Sequence, residues 1–88
     1  MQLKYDFSIQ EVADKYVAVA KNRETEAVES VFNLNETGAL ILKAIQDGQD
    51  VPAIVSQLLF RYDVQPHEAE TEVNLFIQML TDNGLLAE

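Results

Sequence analysis

Residues 33–42 read NLNETGALIL, and this stretch decides the fold because the spacing of the apolar residues changes within it. Apolar residues tend to alternate before Asn35, whereas they recur every three to four positions after it. Asn35 is a typical helix N-cap residue, and Glu36 lies where the helix dipole favours a carboxylate. Gly38 falls near the helix start, where glycine costs less than in the interior. The stretch therefore predicts a corner from a strand into a helix, where Gly38 lets another segment approach closely.

Three short segments before this corner show the alternation that is typical of half-buried strands. In each segment the apolar residues that share a face are as follows: Tyr5, Phe7 and Ile9; Val17 and Val19; Val28, Phe32 and Leu34. The polar residues 22–26 can turn the second strand into the third, while the connection around residues 11–15 has no clear turn signal.

Three helices are predicted after the corner, each with its own start or stop signal. Gly48 ends the first helix, because glycine adopts the left-handed conformation with least strain. Asp50 caps the second helix, which holds Pro52 in its first turn. Pro66 begins the third helix and Gly84 ends it, after which two leucines can fold back on the core. Three strands followed by three helices predict an α+β domain of the winged-helix-like class, with a three-stranded antiparallel sheet.

The third predicted helix has apolar residues outside its core stripe. At about 100° per residue, Leu75 and Met79 lie with Glu68 and Glu72 on a flank about 90 to 150° from the centre of that stripe. Two interpretations stay open. The flank packs under the sheet or in a homodimer, or it forms a wall that receives a peptide, for which the flexible thioether of methionine is well suited.

The composition indicates one small domain, residues 1–88, with an excess of acid. Fifteen acidic and six basic residues give a formal net charge of −9, which disfavours binding to nucleic acid. The chain has no cysteine, and His67 is its one histidine, so no metal site or nucleophile dyad is recognisable. No signal peptide or membrane segment is apparent. We therefore expect a cytoplasmic binding module, not an enzyme, with no cofactor and no membrane partner.

The corner also resembles a known family. Residues 34–42 are similar to the "LN-x-TG-x-x-IL" segment of the PqqD family, which is named for the pyrroloquinoline quinone biosynthesis protein D. Later pieces match in order over roughly residues 15–87. These pieces are Asp47-Gly48; Val51, Ile54, Val55 and Leu58; Tyr62; Val73, Phe76 and Leu80; and Gly84-Leu85-Leu86.

This resemblance implies a recognition element for ribosomally made, post-translationally modified peptides. Such proteins bind the leader segment of a precursor peptide, which adds as a strand to the third strand and lies against the third helix. The precursor is thereby delivered to a modifying enzyme, which for PqqD is a radical S-adenosylmethionine enzyme. The candidate contacts are Ala27, Glu29, Ser30, Val31 and Asn33 on the third strand, and Glu68, Glu72, Leu75 and Met79 on the third helix.

Two other functions compete with peptide recognition. A transcription regulator would use the second and third helices as a helix-turn-helix, but the third helix has no lysine or arginine to face DNA. A structural adaptor could form a homodimer in which the free strand edge pairs with itself or is swapped.

Overall fold

Three strands and three helices, in that order, make up the fold. It is given by a computed structural model that describes residues 1–87. The elements are β1 (Asp6–Val12), β2 (Lys15–Lys21), β3 (Val28–Leu34), α1 (Glu36–Gln46), α2 (Val51–Arg61) and α3 (Pro66–Asp82). The strands form one antiparallel sheet in the order β1, β2, β3, so β2 is central. The prediction of an α+β, winged-helix-like chain is confirmed.

Tight connections join the three strands. A two-residue turn links β1 to β2 and holds Ala13 at a φ of 57°. In the next loop the side-chain oxygen of Asn22 accepts hydrogen bonds from the backbone N–H groups of Glu24 and Thr25, at 2.9 and 3.0 Å. The register then shifts by one residue, which places Glu29 in a β-bulge at the start of β3.

Val17 and Val19 share a face of β2, as predicted, but the core face of this strand is made of alanines. Ala18 and Ala20 are completely buried, whereas Val17 and Val19 are half-buried on the opposite face of the sheet. Both faces of this strand are apolar in sequence, so alternation alone could not choose between them. The helix α1 packs across the sheet, and small side chains allow the two backbones to come close. Val28 pairs with Lys21 beyond the bulge and is exposed, so it does not share a buried face with Phe32 and Leu34.

The predicted helix boundaries are confirmed by their caps. The Asn35 side chain accepts a hydrogen bond from the backbone N–H of Gly38 at 2.7 Å, and Asp50 caps α2 in the same way at 3.0 Å. Gly48 and Gly84 follow α1 and α3 with φ values of 86° and 68°. Each glycine therefore occupies the left-handed conformation that its sequence position predicts.

The core lies between the sheet and the helices and is closed by both ends of the described chain. Its largest fully buried side chains are Ile41, Leu42, Ile54, Leu58, Val73 and Leu80. Leu85 folds back onto the core, as expected, and its carbonyl accepts a hydrogen bond from the backbone N–H of Lys4 at 2.9 Å. Leu3 and Leu86 form an isolated bridge beside it. Of the helices in residues 1–87, none has both the length and the apolar character needed to cross a membrane.

Candidate functional site

The strand β3 lies at an edge of the sheet and pairs on one side with β2. In an antiparallel strand, alternate residues direct their N–H and C=O groups away from the paired neighbour. Seven residues of β3 therefore leave several backbone donors and acceptors along a free edge, which is a template for another strand. The strand meets the corner at Leu34, which is followed directly by the α1 cap.

The two faces of β3 differ in character. Ser30 and Phe32 lie opposite the buried alanines of β2, on the side that the helices cover. Val31, with 59% of its surface exposed, and Asn33 lie on the outer face of the sheet. A strand added beside β3 would present its own side chains alternately to the helices and to this outer face.

Two of the candidate strand residues lie at the irregular start of β3. Glu29 is exposed at the bulge. Ala27 lies one residue before the strand, where its N–H donates to the Thr25 hydroxyl at 3.2 Å and its carbonyl accepts from the N–H of Asn22 at 2.9 Å. Since both backbone groups of Ala27 are engaged in the loop, the regular free edge begins after it.

The flank of α3 contains one largely exposed apolar side chain and one that packs against the core. Leu75 is 65% exposed, and Glu68 and Glu72 are exposed beside it on the same side of the helix. Met79 is half-buried and packs against the core, so Leu75 is the more exposed of the two apolar side chains of this flank. About 100° per residue places it next to Leu75 but closer to the stripe that α3 buries.

Gly38 of α1 lies at the point where side chains of β3 and α3 approach the helix. A Cβ added at Gly38 would lie 3.2 Å from Cε1 of Phe76, 3.4 Å from Cδ2 of Leu34 and 3.1 Å from the capping oxygen of Asn35. On α3, Phe76 lies between the core stripe and the flank that carries Leu75. The contact at Gly38 therefore turns that flank toward the end of β3.

Beyond this corner the backbones of β3 and α3 lie apart. Within residues 1–87, no Cα atom of β3 comes within 8 Å of a Cα atom of α3. A strand paired with the free edge of β3 would lie about 4.8 Å from it, on the side away from β2. We call this region the edge surface: the strand β3 together with Glu68, Glu72, Leu75 and Met79 of α3.

Apart from His67, the ionisable side chains of α3 are all acidic. Across Pro66–Asp82 there is no lysine or arginine. Its acidic residues are Glu68, Glu70, Glu72 and Asp82. His67 is exposed at the helix start, and the described residues hold no group of three or more His, Cys, Asp or Glu side chains that could bind a metal. The helix is therefore suited to a peptide with apolar or basic side chains and not to phosphate.

A concave region that the sequence did not predict lies away from the edge surface. A cleft of about 580 Å³ is bordered by β1, β2, α1 and α2. In it the Tyr62 hydroxyl donates to a carboxylate oxygen of Glu36 at 2.8 Å, which ties the end of α2 to the start of α1. Burial, followed by this bond, raises the pKa of Tyr62 above 10.0, so its hydroxyl stays protonated at neutral pH. No local sequence motif predicts the cleft, because four separate elements contribute residues to it.

Comparison with known proteins agrees with this architecture. The fold is similar to that of TbiB1 in complex with the TbiA(beta) leader peptide, with a TM-score of 0.75, 21% identity, and coverage of 99% of this chain and 95% of that chain. It is also similar to lasso peptide synthetase B1 complexed with the leader peptide, with a TM-score of 0.74, 22% identity, and coverage of 99% and 96%. No curated protein matches the sequence. The family model described as coenzyme PQQ synthesis protein D (PqqD) matches residues 19–86, and the chain therefore belongs to the PqqD family.

Proposed function

We propose that this chain is a recognition module for the leader segment of a ribosomally synthesised precursor peptide. The leader binds as an additional strand on β3 and lies against the flank of α3. The observation that carries the proposal is the free edge of β3, together with the exposed Leu75 on α3, whose backbone lies apart from that strand. Membership of the PqqD family supports it, as does the similarity of the fold to two proteins solved with a leader peptide.

Strand addition supplies affinity through the backbone. Each new hydrogen bond between the leader and β3 contributes about 0.5 to 1.5 kcal/mol net. Three or four such bonds along the edge would give a few kcal/mol, which is too little for tight binding once the ordering of the peptide is subtracted. Backbone bonds also carry little sequence information, so selectivity must come from side chains.

The flank of α3 supplies that selectivity. Leu75 and Met79 offer apolar contact to side chains that the leader directs toward the helices, and the methionine can adapt its shape to them. Glu68 and Glu72 form an acidic border at the other end of the flank, which favours a lysine or arginine in the leader. Val31 and Asn33 contact the side chains that point to the outer face.

A leader bound in this way is held for a separate enzyme. The edge surface contains exposed carboxylates and no metal ligand set or nucleophile dyad among the described residues, so it can hold a peptide but has no evident means to transform it. The partner is an enzyme that modifies precursor peptides. For PqqD this enzyme is a radical S-adenosylmethionine enzyme. The module acts by raising the local concentration of precursor at that enzyme.

Peptides selected from a randomised display library on the immobilised protein provide the probe. Hydrogen exchange of the bound and free protein is then compared. We expect alternate amides of Val28–Leu34, those on the free edge, to exchange more slowly when the peptide is bound. Protection confined to residues around the cleft that β1, β2, α1 and α2 border would overturn the strand-addition proposal.

Backbone methylation of the selected peptide sharpens this experiment. Methyl groups on every second peptide nitrogen remove either the N–H groups that face β3 or those that face away. We expect one methylation pattern to abolish binding and the other to preserve it, whereas equal binding of both methylated peptides would exclude a strand.

The leader assignment is tested separately, because the selected motif should occur in a short reading frame encoded beside the gene for this chain. If no such frame carries the motif, the module binds another class of peptide.

A further inference from the structure

An aromatic side chain stands fully in solvent at the end of α2. Phe60 is 95% exposed, and two further apolar residues near it, Leu59 and Val64, are 37% and 38% exposed. A phenylalanine in this position loses the free energy that it would gain by burial. The edge surface contains no residue of α2, so the function proposed above does not account for Phe60.

A recess lies directly beside Phe60. It has a volume of about 390 Å³ and is lined by Leu40 of α1 and by Ser56, Gln57, Phe60 and Arg61 of α2. Ser56 precedes Phe60 by one helical turn, so a small side chain and a large one follow each other on the same exposed side of α2. A projection and a recess that adjoin on one face are what a two-fold symmetric interface requires.

We propose that two copies of this chain associate through α2, antiparallel to each other. Phe60 of each copy enters the recess of the other and lies over its Ser56. There the ring contacts Leu40 and the phenylalanine of the host, an arrangement that favours an offset or edge-to-face aromatic pair. The Arg61 guanidinium can in addition lie against the incoming ring.

The distribution of charge favours a second copy at this face. The molecule carries a formal net charge of −9, so two copies repel each other over most of their surface. The helix Val51–Arg61 contains no acidic residue and ends in an arginine. Association through α2 therefore joins the copies along a helix that adds no carboxylate of its own to the contact.

The association is weak and leaves the edge surface open. One pair of helices buries less than the roughly 800 Å² per partner of a standard interface, so we expect a concentration-dependent equilibrium. Neither β3 nor α3 contributes to the recess. The dimer would present two edge surfaces at once, and it is distinct from a dimer in which β3 edges pair.

Sedimentation velocity of the purified chain tests this proposal without any other ligand. The monomer has a mass of 9.9 kDa, and we expect the mean mass to rise toward twice that value between about 10 μM and about 1 mM. Phe60→Ser should weaken association at least about tenfold, because two buried rings are lost. Ser56→Arg should do the same by filling the recess. Both positions are exposed, so an unchanged circular dichroism spectrum is expected.

Val31→Lys is the matched control on the other candidate surface. A lysine on an edge strand opposes edge-to-edge pairing, so this variant should associate like the wild type if α2 forms the interface. A dimer that survives Phe60→Ser but is lost in Val31→Lys would overturn the proposal in favour of strand pairing. A wild-type chain that stays monomeric at about 1 mM would overturn the proposal outright.

Discussion

At the scale of a single residue, Gly38 links the corner of the fold to the candidate site. Its missing side chain admits Phe76 of α3 and Leu34 of β3 to the same point on α1. Two effects of a larger residue there oppose each other. Alanine favours a helix over glycine by about 1 kcal/mol in the interior and by less near an end, whereas its Cβ would crowd the Phe76 ring and the Asn35 cap.

Two substitutions at Gly38 separate these effects. We expect Gly38→Ala to change the free energy of unfolding by less than about 1 kcal/mol, since propensity and crowding nearly cancel. Gly38→Val adds two more methyl groups at the same point and should lower the free energy of unfolding by about 1 to 3 kcal/mol. Urea denaturation of both variants measures the difference. Equal stability of the two would mean that Phe76 does not limit the space at Gly38.

At the scale of the elements, the sequence predicts what depends on local signals. Caps at Asn35 and Asp50 and left-handed glycines after α1 and α3 act over a few residues, and these boundaries are found where expected. The edge position of β3 also follows, because three consecutive antiparallel strands in a meander leave the last one at an edge.

Features that depend on packing between elements could not be predicted in this way. The run Val17-Ala18-Val19-Ala20 is apolar at every position, so only the approach of α1 decides that the alanines face inward. The partial burial of Met79 is likewise a result of packing, because the helical period alone places it off the core stripe. Phe60 differs from these cases, because at about 100° per residue it lies on the side of α2 opposite the buried Ile54 and Leu58, which agrees with its exposure.

The flank of α3 yields a prediction that compares its two apolar side chains. Leu75→Ser should change the free energy of unfolding by less than about 0.5 kcal/mol, because the leucine is exposed. Met79→Ser should lower it by about 1 to 2 kcal/mol, because the methionine packs on the core. Both should weaken binding of a selected peptide, and the double variant should weaken it most. Thermal denaturation and fluorescence anisotropy give the two measurements.

Asn74→Ser is the control on this helix. Asn74 is exposed and lies well away from the flank at about 100° per residue, so neither stability nor binding should change. If the Leu75 and Met79 variants bind the peptide as well as the Asn74 variant does, the peptide does not contact this flank.

At the scale of the whole molecule, the edge surface shares no element with the two concave regions. The edge surface belongs to β3 and α3, the recess beside Phe60 to α1 and α2, and the larger cleft to β1, β2, α1 and α2. The first can therefore be occupied while the second is in contact with another copy. Such a separation suits a small module that holds a peptide and leaves other faces available to proteins.

The whole-molecule charge gives the prediction that divides peptide recognition from DNA recognition, since winged-helix-like folds suit both. Non-specific DNA affinity comes from lysine and arginine that displace counterions from phosphates. This chain has six such residues against fifteen acidic ones, and α3, which would enter the major groove, has none. We expect no binding to a labelled random duplex at about 0.15 M salt by fluorescence anisotropy, while a selected peptide binds in the same buffer. Micromolar DNA binding that weakens steeply with salt would instead mean that a basic surface outside α3 contacts DNA. That result would favour the transcription-regulator hypothesis over peptide recognition.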